Sequence, residues 1–233
     1  MTELRVFPDA EAASRATSAW LAEAVAVAKA QRGAAHLALP GGGTPKRTFR
    51  LLGEDADVDW RGVELWMGDE RIVPDDDPES NIGMIRAELG ERARDEATWH
   101  RVQTELGTQG AADAYDREWG DRVLDVAFQG VGPDGHTASL FPHHPLLDVT
   151  DRAVVPIVDS PKPPPERVTF TVPVISAARR ILFLVTGEDK APVVKQIMAG
   201  PDRNMPSSLF GGDRTIVIAD EAGASQVDED ERG

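Results

Sequence analysis

Short apolar runs recur along the chain, each closed by glycine, proline or charge. Ala35–Leu39 (AHLAL), Val63–Met67 (VELWM), Val123–Gly130 (VLDVAFQG), Ala153–Val158, Arg167–Val172 (RVTFTV), Ile181–Thr186 (ILFLVT) and Thr215–Ala219 (TIVIA) have the length and β-branched content of strands. Thr98–Val102 suggests one more short strand. Between these runs the apolar period changes to that of a helix. Asp9 is placed to cap a helix that runs to about Gln31, with Gly33 as its stop, and Trp20, Leu21, Ala24, Val25 and Ala28 share one face of it. Further helices are expected over about Lys46–Leu52, from Ser80-Asn81 to Leu89, over Gln109–Trp119, from Val174, and from Lys190 to Met198. Strands that alternate with helices predict an open, mainly parallel α/β sheet flanked by helices. No linker splits the chain, so we expect one domain over residues 1–222 and an acidic, disordered tail over 223–233.

Composition narrows the class. With 233 residues, 41% of them hydrophobic, the chain is long enough and apolar enough for a core. It has no cysteine, which removes disulfides, thiolate metal sites and cysteine nucleophiles. No apolar run approaches the roughly 18 residues of a membrane span, and no signal peptide is visible, so a cytoplasmic protein is expected. The net charge of -15 disfavours nucleic acid and anionic membranes as partners. Twenty arginines stand beside five lysines. An anionic small molecule would need a few of these to make a locally positive pocket. Oligomeric state is expected to be monomer or weak homo-oligomer.

The candidate chemistry gathers where strands end. The 35–39 run stops in Pro40-Gly41-Gly42-Gly43-Thr44-Pro45 before a helix, an arrangement that suits phosphate at a helix N-terminus. The 63–67 run stops in Gly68-Asp69-Glu70-Arg71, read as a charged strand-end loop. The 123–130 run stops in Val131-Gly132-Pro133-Asp134-Gly135-His136, which delivers a carboxylate and an imidazole on one turn. The 181–186 run stops in Gly187-Glu188-Asp189-Lys190. In parallel α/β sheets ligands bind beyond the carboxyl ends of the strands. Backbone N–H groups, an arginine, a lysine, carboxylates and one histidine there suit a phosphorylated small molecule. Two competing readings are weaker. Gly130, Gly132 and Gly135 match the dinucleotide fingerprint, but Pro142 leaves room for about two helical turns where that fold needs a longer helix. His143-His144 lacks a carboxylate at ligand spacing, and adjacent residues face apart, so no metal site is expected.

The order of these stretches carries a resemblance. LALPGGGTP, WMGDERIVP with a following SN, GVGPDGHTASLFP, RVTFTVPVIS and VTGEDK, over about residues 35–200, closely resemble the 6-phosphogluconolactonase family. The related glucosamine-6-phosphate deaminases share the glycine loop and the D-G-H turn but differ from the T-A-S-L-F-P that follows here. The resemblance implies the Rossmann-like fold of the glucosamine-6-phosphate isomerase, ribose-5-phosphate isomerase and CoA-transferase group. It implies hydrolysis of 6-phospho-D-glucono-1,5-lactone to 6-phospho-D-gluconate, a step of the oxidative pentose phosphate pathway, without cofactor, metal or covalent intermediate. By the same token His136 would be the general base and Asp134 its orienting partner. Gly41, Gly42, Gly43, Thr44, Arg71 and Lys190 would hold phosphate, and Asp69 and Arg167 would contact the sugar or order the pocket. One departure is Gly43, where the family often has serine. An unperturbed histidine puts the acid limb of the rate at about pH 6.5, and a neighbouring Asp134 is expected to raise it. A phosphosugar deaminase or isomerase on the same scaffold and a non-catalytic phosphosugar-binding regulator are the alternatives.

Overall fold

The computed structural model describes residues 1–228. The chain enters on β1 (Glu3–Phe7) and then forms α1 (Ala10–Arg32), β2 (Ala35–Leu39), α2 (Lys46–Glu54), β3 (Val63–Met67), β4 (Asp69–Arg71), α3 (Asn81–Glu96) and β5 (Thr98–His100). It continues through α4 (Gly107–Trp119), β6 (Val126–Gln129), β7 (Val154–Ile157), β8 (Arg167–Phe170), α5 (Val172–Ala177), β9 (Arg180–Val185), α6 (Ala191–Ala199) and β10 (Thr215–Asp220). Seven strands form one sheet in the order β1-β10-β9-β6-β2-β3-β5, and every neighbouring pair is parallel. The open, mainly parallel α/β sheet is therefore present. Its inner strands are covered on both faces, which is why they read as continuous apolar runs.

Local chemistry sets the helix ends. The Asp9 carboxylate accepts the Ala12 N–H at 2.8 Å, and Gly33, in the left-handed region, donates its N–H to the Lys29 carbonyl at 2.8 Å. Helices α2 and α3 approach so closely that a Cβ on Gly53 would lie 2.1 Å from the Leu89 carbonyl oxygen. Strand β1 escaped the sequence reading because it is an edge strand, with Leu4 its one fully buried side chain.

The charged triplet 69–71 is not a loop. It is strand β4, which pairs antiparallel with β8, and β8 with β7, in a separate three-stranded sheet. Gly68 is the joint: its N–H donates to the Leu39 carbonyl of the large sheet at 3.0 Å, and its carbonyl accepts the Phe170 N–H at 3.0 Å. The expected strand-end loop is therefore a backbone crossing between sheets. The segment 167–172 is likewise shorter as a strand than its alternation suggested, because α5 starts at Val172.

Beside β3 lies a closed aromatic cluster. Trp66 stacks on His100 with centroids 3.5 Å apart and packs edge-on against Trp119. The two ring nitrogens of His100 lie 2.6 Å from Glu118 and 2.6 Å from Glu64. Past β10 the chain stays packed: Gly223 donates its N–H to Asp220 at 2.7 Å, and Ala224 and Val227 are buried. The polar tail expected from Gly223 thus begins no earlier than residue 228, and residues 229–233 lie outside the described residues. Among the described residues no helix is long and apolar enough to cross a membrane.

Candidate active site

Four adjacent strands, β9, β6, β2 and β3, end on the same edge of the large sheet because they are parallel neighbours. The loops that leave them enclose a cleft of about 250 Å³. Gly41, Gly42, Gly43 and Thr44 form one wall, Gly130–Pro133 and His136 another, and Asp69, Arg71, Asn81, Lys162, Arg167 and Lys190 complete it. Eight substrate-side positions were expected from sequence, and all eight line this cleft together with His136. Asp134 reaches it through His136.

The turn after β6 is built around the imidazole. Gly132 donates its N–H to the His136 carbonyl at 3.0 Å, and Gly135 to the Gly132 carbonyl at 2.9 Å. A Cβ on Gly132 would lie 2.1 Å from His136 Cε1, so only glycine lets the ring lie back across its own turn. Gly135 has φ 77, and a Cβ there would press on Met205 at 2.8 Å. The one intervening residue does permit contact: His136 Nδ1 is hydrogen-bonded to Asp134 Oδ1. That bond assigns the ring proton to Nδ1 and leaves the Nε2 lone pair available.

Lys162, like Asn81, lines the cleft without having been expected there from sequence. It sits in the proline-rich segment 159–166, whose composition signals only an extended loop. Its Nζ lies 3.1 Å from Asp134 Oδ2 and 3.2 Å from His136 Nδ1. What brings it there is Arg167. This buried guanidinium donates through Nε to the Pro164 carbonyl at 3.0 Å, and through one Nη to the carbonyls of Lys162 and Pro163 at 3.0 and 3.1 Å. Arg167 thus folds the loop that carries Lys162 over the histidine. Burial lowers its own affinity for the proton, and Asp69 Oδ2, 3.8 Å away, opposes that effect.

The same logic corrects the expected titration of His136. Burial, the largest influence, pushes the imidazole below its ordinary range, and Lys162 acts in the same direction; the bond to Asp134 opposes both and does not overcome them. The protonated imidazole is therefore disfavoured relative to an ordinary histidine, the opposite of the direction expected from Asp134 alone. For Asp134, burial raises the carboxyl, but its bonds and charges with His136 and Lys162 outweigh it and hold the group below the usual range.

Strand β4 sorts its charges by alternation. Asp69 and Arg71 share one face and Glu70 takes the other. Asp69 is buried, accepts Ser139 Oγ at 2.6 Å and takes an N–H from Asn81 Nδ2 at 3.1 Å. Its place is to join β4, α3 and the 136–141 loop. Asn81, read from sequence only as a helix start, crowds the glycine loop: a Cβ on Gly41 would lie 1.9 Å from its Oδ1. Glu70 points to the start of α3, where it accepts the N–H groups of Asn81 and Ile82, each at 2.8 Å. Burial pushes its carboxyl up to about 7, against those N–H groups. Arg71 donates to the Glu79 carbonyl at 2.7 Å and to its carboxylate at 3.0 Å, while its buried Nε has no partner among the described residues. Across the cleft, Lys190 Nζ donates to Thr44 Oγ1 at 3.2 Å. Gly43 faces open space, so its lack of a side chain is not enforced by packing. His144 caps the short turn that follows it and lies 3.1 Å from Asp159, away from this cleft.

The arrangement offers an imidazole with one free ring nitrogen, a lysine beside it, and a recess between a glycine loop at a helix start and two cations. The sequence profile of the glucosamine-6-phosphate isomerases/6-phosphogluconolactonase family matches residues 8–218. The chain is 36% identical to a 6-phosphogluconolactonase of Streptomyces coelicolor, over 97% of this chain and 94% of that one. It is 35% identical to a 6-phosphogluconolactonase of Mycobacterium tuberculosis, over 97% and 98%. The structure of 6-phosphogluconolactonase from Trypanosoma cruzi superimposes with a TM-score of 0.86 at 26% identity, over 97% of each chain.

Proposed function

The chain belongs to the glucosamine-6-phosphate isomerase/6-phosphogluconolactonase family, and from that premise we infer that it is a hydrolase of 6-phospho-D-glucono-1,5-lactone, acting by histidine-assisted attack of water. The observation that carries this reading is the His136–Asp134 pair held on a glycine turn inside the cleft. A lactone is an activated ester, so neither a covalent nucleophile nor a metal is needed for water to open it. His136 takes a proton from water through Nε2 as the oxygen attacks the ring carbonyl, and Asp134 holds the imidazole through Nδ1; the tetrahedral adduct then breaks its bond to the ring oxygen, which takes the proton back from the imidazolium and leaves as the sugar hydroxyl. Burial, with Lys162 acting in the same direction, disfavours protonation of the resting imidazole. When the imidazolium forms, Asp134 stabilises it.

The substrate phosphate is assigned to the Gly41–Thr44 loop at the start of α2, with Arg71 and Lys190 as its cations. Asp69 and Arg167 act by ordering the walls, as their buried mutual contacts support. The deaminase reading is less well supported, because the two relatives that are 35% and 36% identical over nearly their whole length are lactonases.

The test is hydrolysis of the phosphorylated and unphosphorylated lactones by the purified protein in the presence of a chelator. The phosphorylated lactone should turn over and gluconolactone should be a much poorer substrate, since remote binding energy is lost. Equal rates on the two would remove the phosphate assignment. Activity that chelation abolishes and only a divalent ion restores would remove the metal-free mechanism.

A further inference from the structure

The larger concavity of the molecule is at the other edge of the sheet. A groove of about 740 Å³ opens where β6, β9 and β10 begin and α1 ends, while the cleft just described lies where strands finish. Strands of four to six residues separate the two, roughly 13–20 Å of extended chain.

Five arginines line this groove, Arg5, Arg32, Arg179, Arg180 and Arg214, against two acids, Glu23 and Asp125. That is a net positive lining on a protein whose charge is -15. Three of the arginines are partly neutralised. Arg5 pairs with Glu3 at 2.7 Å, and Asp125 is shared by Arg32 at 2.7 Å and Arg179 at 3.4 Å. The other two meet no carboxylate among the described residues. Arg214 donates to the carbonyls of Ala178 and Ser176 at 3.0 and 2.9 Å. The Arg180 guanidinium lies over the Trp20 ring at 5.9 Å.

The groove also has an apolar part. Val27 and Val123, 44% and 39% exposed, are two of the few large hydrophobic side chains left in solvent, and both line it beside Trp20. Guanidinium groups recognise phosphate through paired N–H donors, and an indole edged by valines offers a flat apolar surface. Pockets of this size hold organic ligands rather than simple ions. A sugar phosphate would satisfy the arginines and leave the indole and valines without a partner. We propose that this groove binds a nucleoside polyphosphate, its phosphates on Arg180 and Arg214 and its base against Trp20, Val27 and Val123.

The experiment is calorimetric titration of the intact protein with ADP, with inorganic pyrophosphate as the second probe. ADP should bind with a submillimolar dissociation constant and more tightly than pyrophosphate. Arg180→Glu, an exposed change remote from the catalytic cleft, should weaken ADP by about tenfold or more and leave lactone turnover unchanged. Val27→Ser, which removes apolar surface without adding charge, should weaken ADP and leave pyrophosphate binding unaltered. Absence of ADP binding at millimolar concentration would overturn the proposal. So would equal binding of pyrophosphate, equal binding by Arg180→Glu, or loss of ADP binding in Lys190→Ala, which would put the nucleotide in the lactone cleft. Because the readout is binding, failure of the lactonase reading leaves the result interpretable.

Discussion

His136 and His100 each meet a carboxylate through a ring nitrogen, yet their surroundings differ at every other step. His100 is closed between Glu64 and Glu118 and stacked on Trp66, with both ring nitrogens engaged. It lies on β5, an edge strand of the sheet, within a packed aromatic cluster. His136 has one nitrogen engaged, stands on a turn beyond a strand's carboxyl end, lines a cleft and has a lysine beside it. An acid next to a histidine is thus no sign of catalysis. What marks His136 as the proposed base is a free ring nitrogen and an open side.

The comparison is broken most directly by removing each ring. His136→Ala should lose about 10²–10⁴-fold in kcat, the usual worth of a general base, while the melting temperature changes little. His100→Ala should keep kcat near the wild-type value and lose stability instead, by about 1–3 kcal/mol for the partners left unpaired. Parallel kinetics and thermal melts of the two variants decide the matter. A kcat loss in His100→Ala equal to that in His136→Ala would erase the distinction.

The second test moves the ring rather than deleting it. Gly132→Ala puts a methyl 2.1 Å from Cε1 of His136, and if this ring is the base, misplacing it by about 1 Å should cost about 10²-fold in kcat. Gly43→Ser, at a position facing open space, should leave kcat intact and keep or lower KM by adding a hydroxyl to the phosphate loop. If the two glycines respond alike to substitution, the crowding argument fails.

A smaller effect is expected from Lys162→Met. Both burial and Lys162 hold His136 below its ordinary range, so the acid limb of kcat/KM should lie below about pH 6.5 in the wild type. Activity falls as pH drops through that limb, because the base is then protonated. Removing the lysine charge should move the limb upward, with only a several-fold loss of rate near pH 7. A limb that stays in place in Lys162→Met would show that this ammonium does not govern the histidine. Arg167→Lys should imitate the variant in part, since it loosens the carbonyls that hold the lysine's loop.

Much of this protein could be read without coordinates, for a local reason. Strands β2, β3, β6, β9 and β10 are each a single apolar run ended by glycine, proline or charge, and a run buried on both faces needs no partner to be recognised. The glycine turn with Asp134 and His136 is likewise contained in a few residues, as is the Gly41–Thr44 loop. Parallel pairing then brings the four strand ends to one edge, so listing the loops came close to listing the cleft. The rest is made by contacts distant in sequence. Lys162 reaches His136 because Arg167, anchored on β8 beside β4, gathers the carbonyls of the proline loop. Nothing within that loop encodes this. Asp69-Glu70-Arg71 reads as a charged strand-end loop until β8 pairs with it, and only the pairing decides that Asp69 faces the cleft and Glu70 caps α3. The direction of the His136 shift was misjudged because sequence shows the neighbouring carboxylate but neither the burial nor the lysine. The arginine groove collects residues from β1, α1 and the starts of three other strands, each an ordinary surface arginine alone. Local patterning determines which elements form; burial and charge at a point in space are sums over elements, and only the packed chain performs that sum.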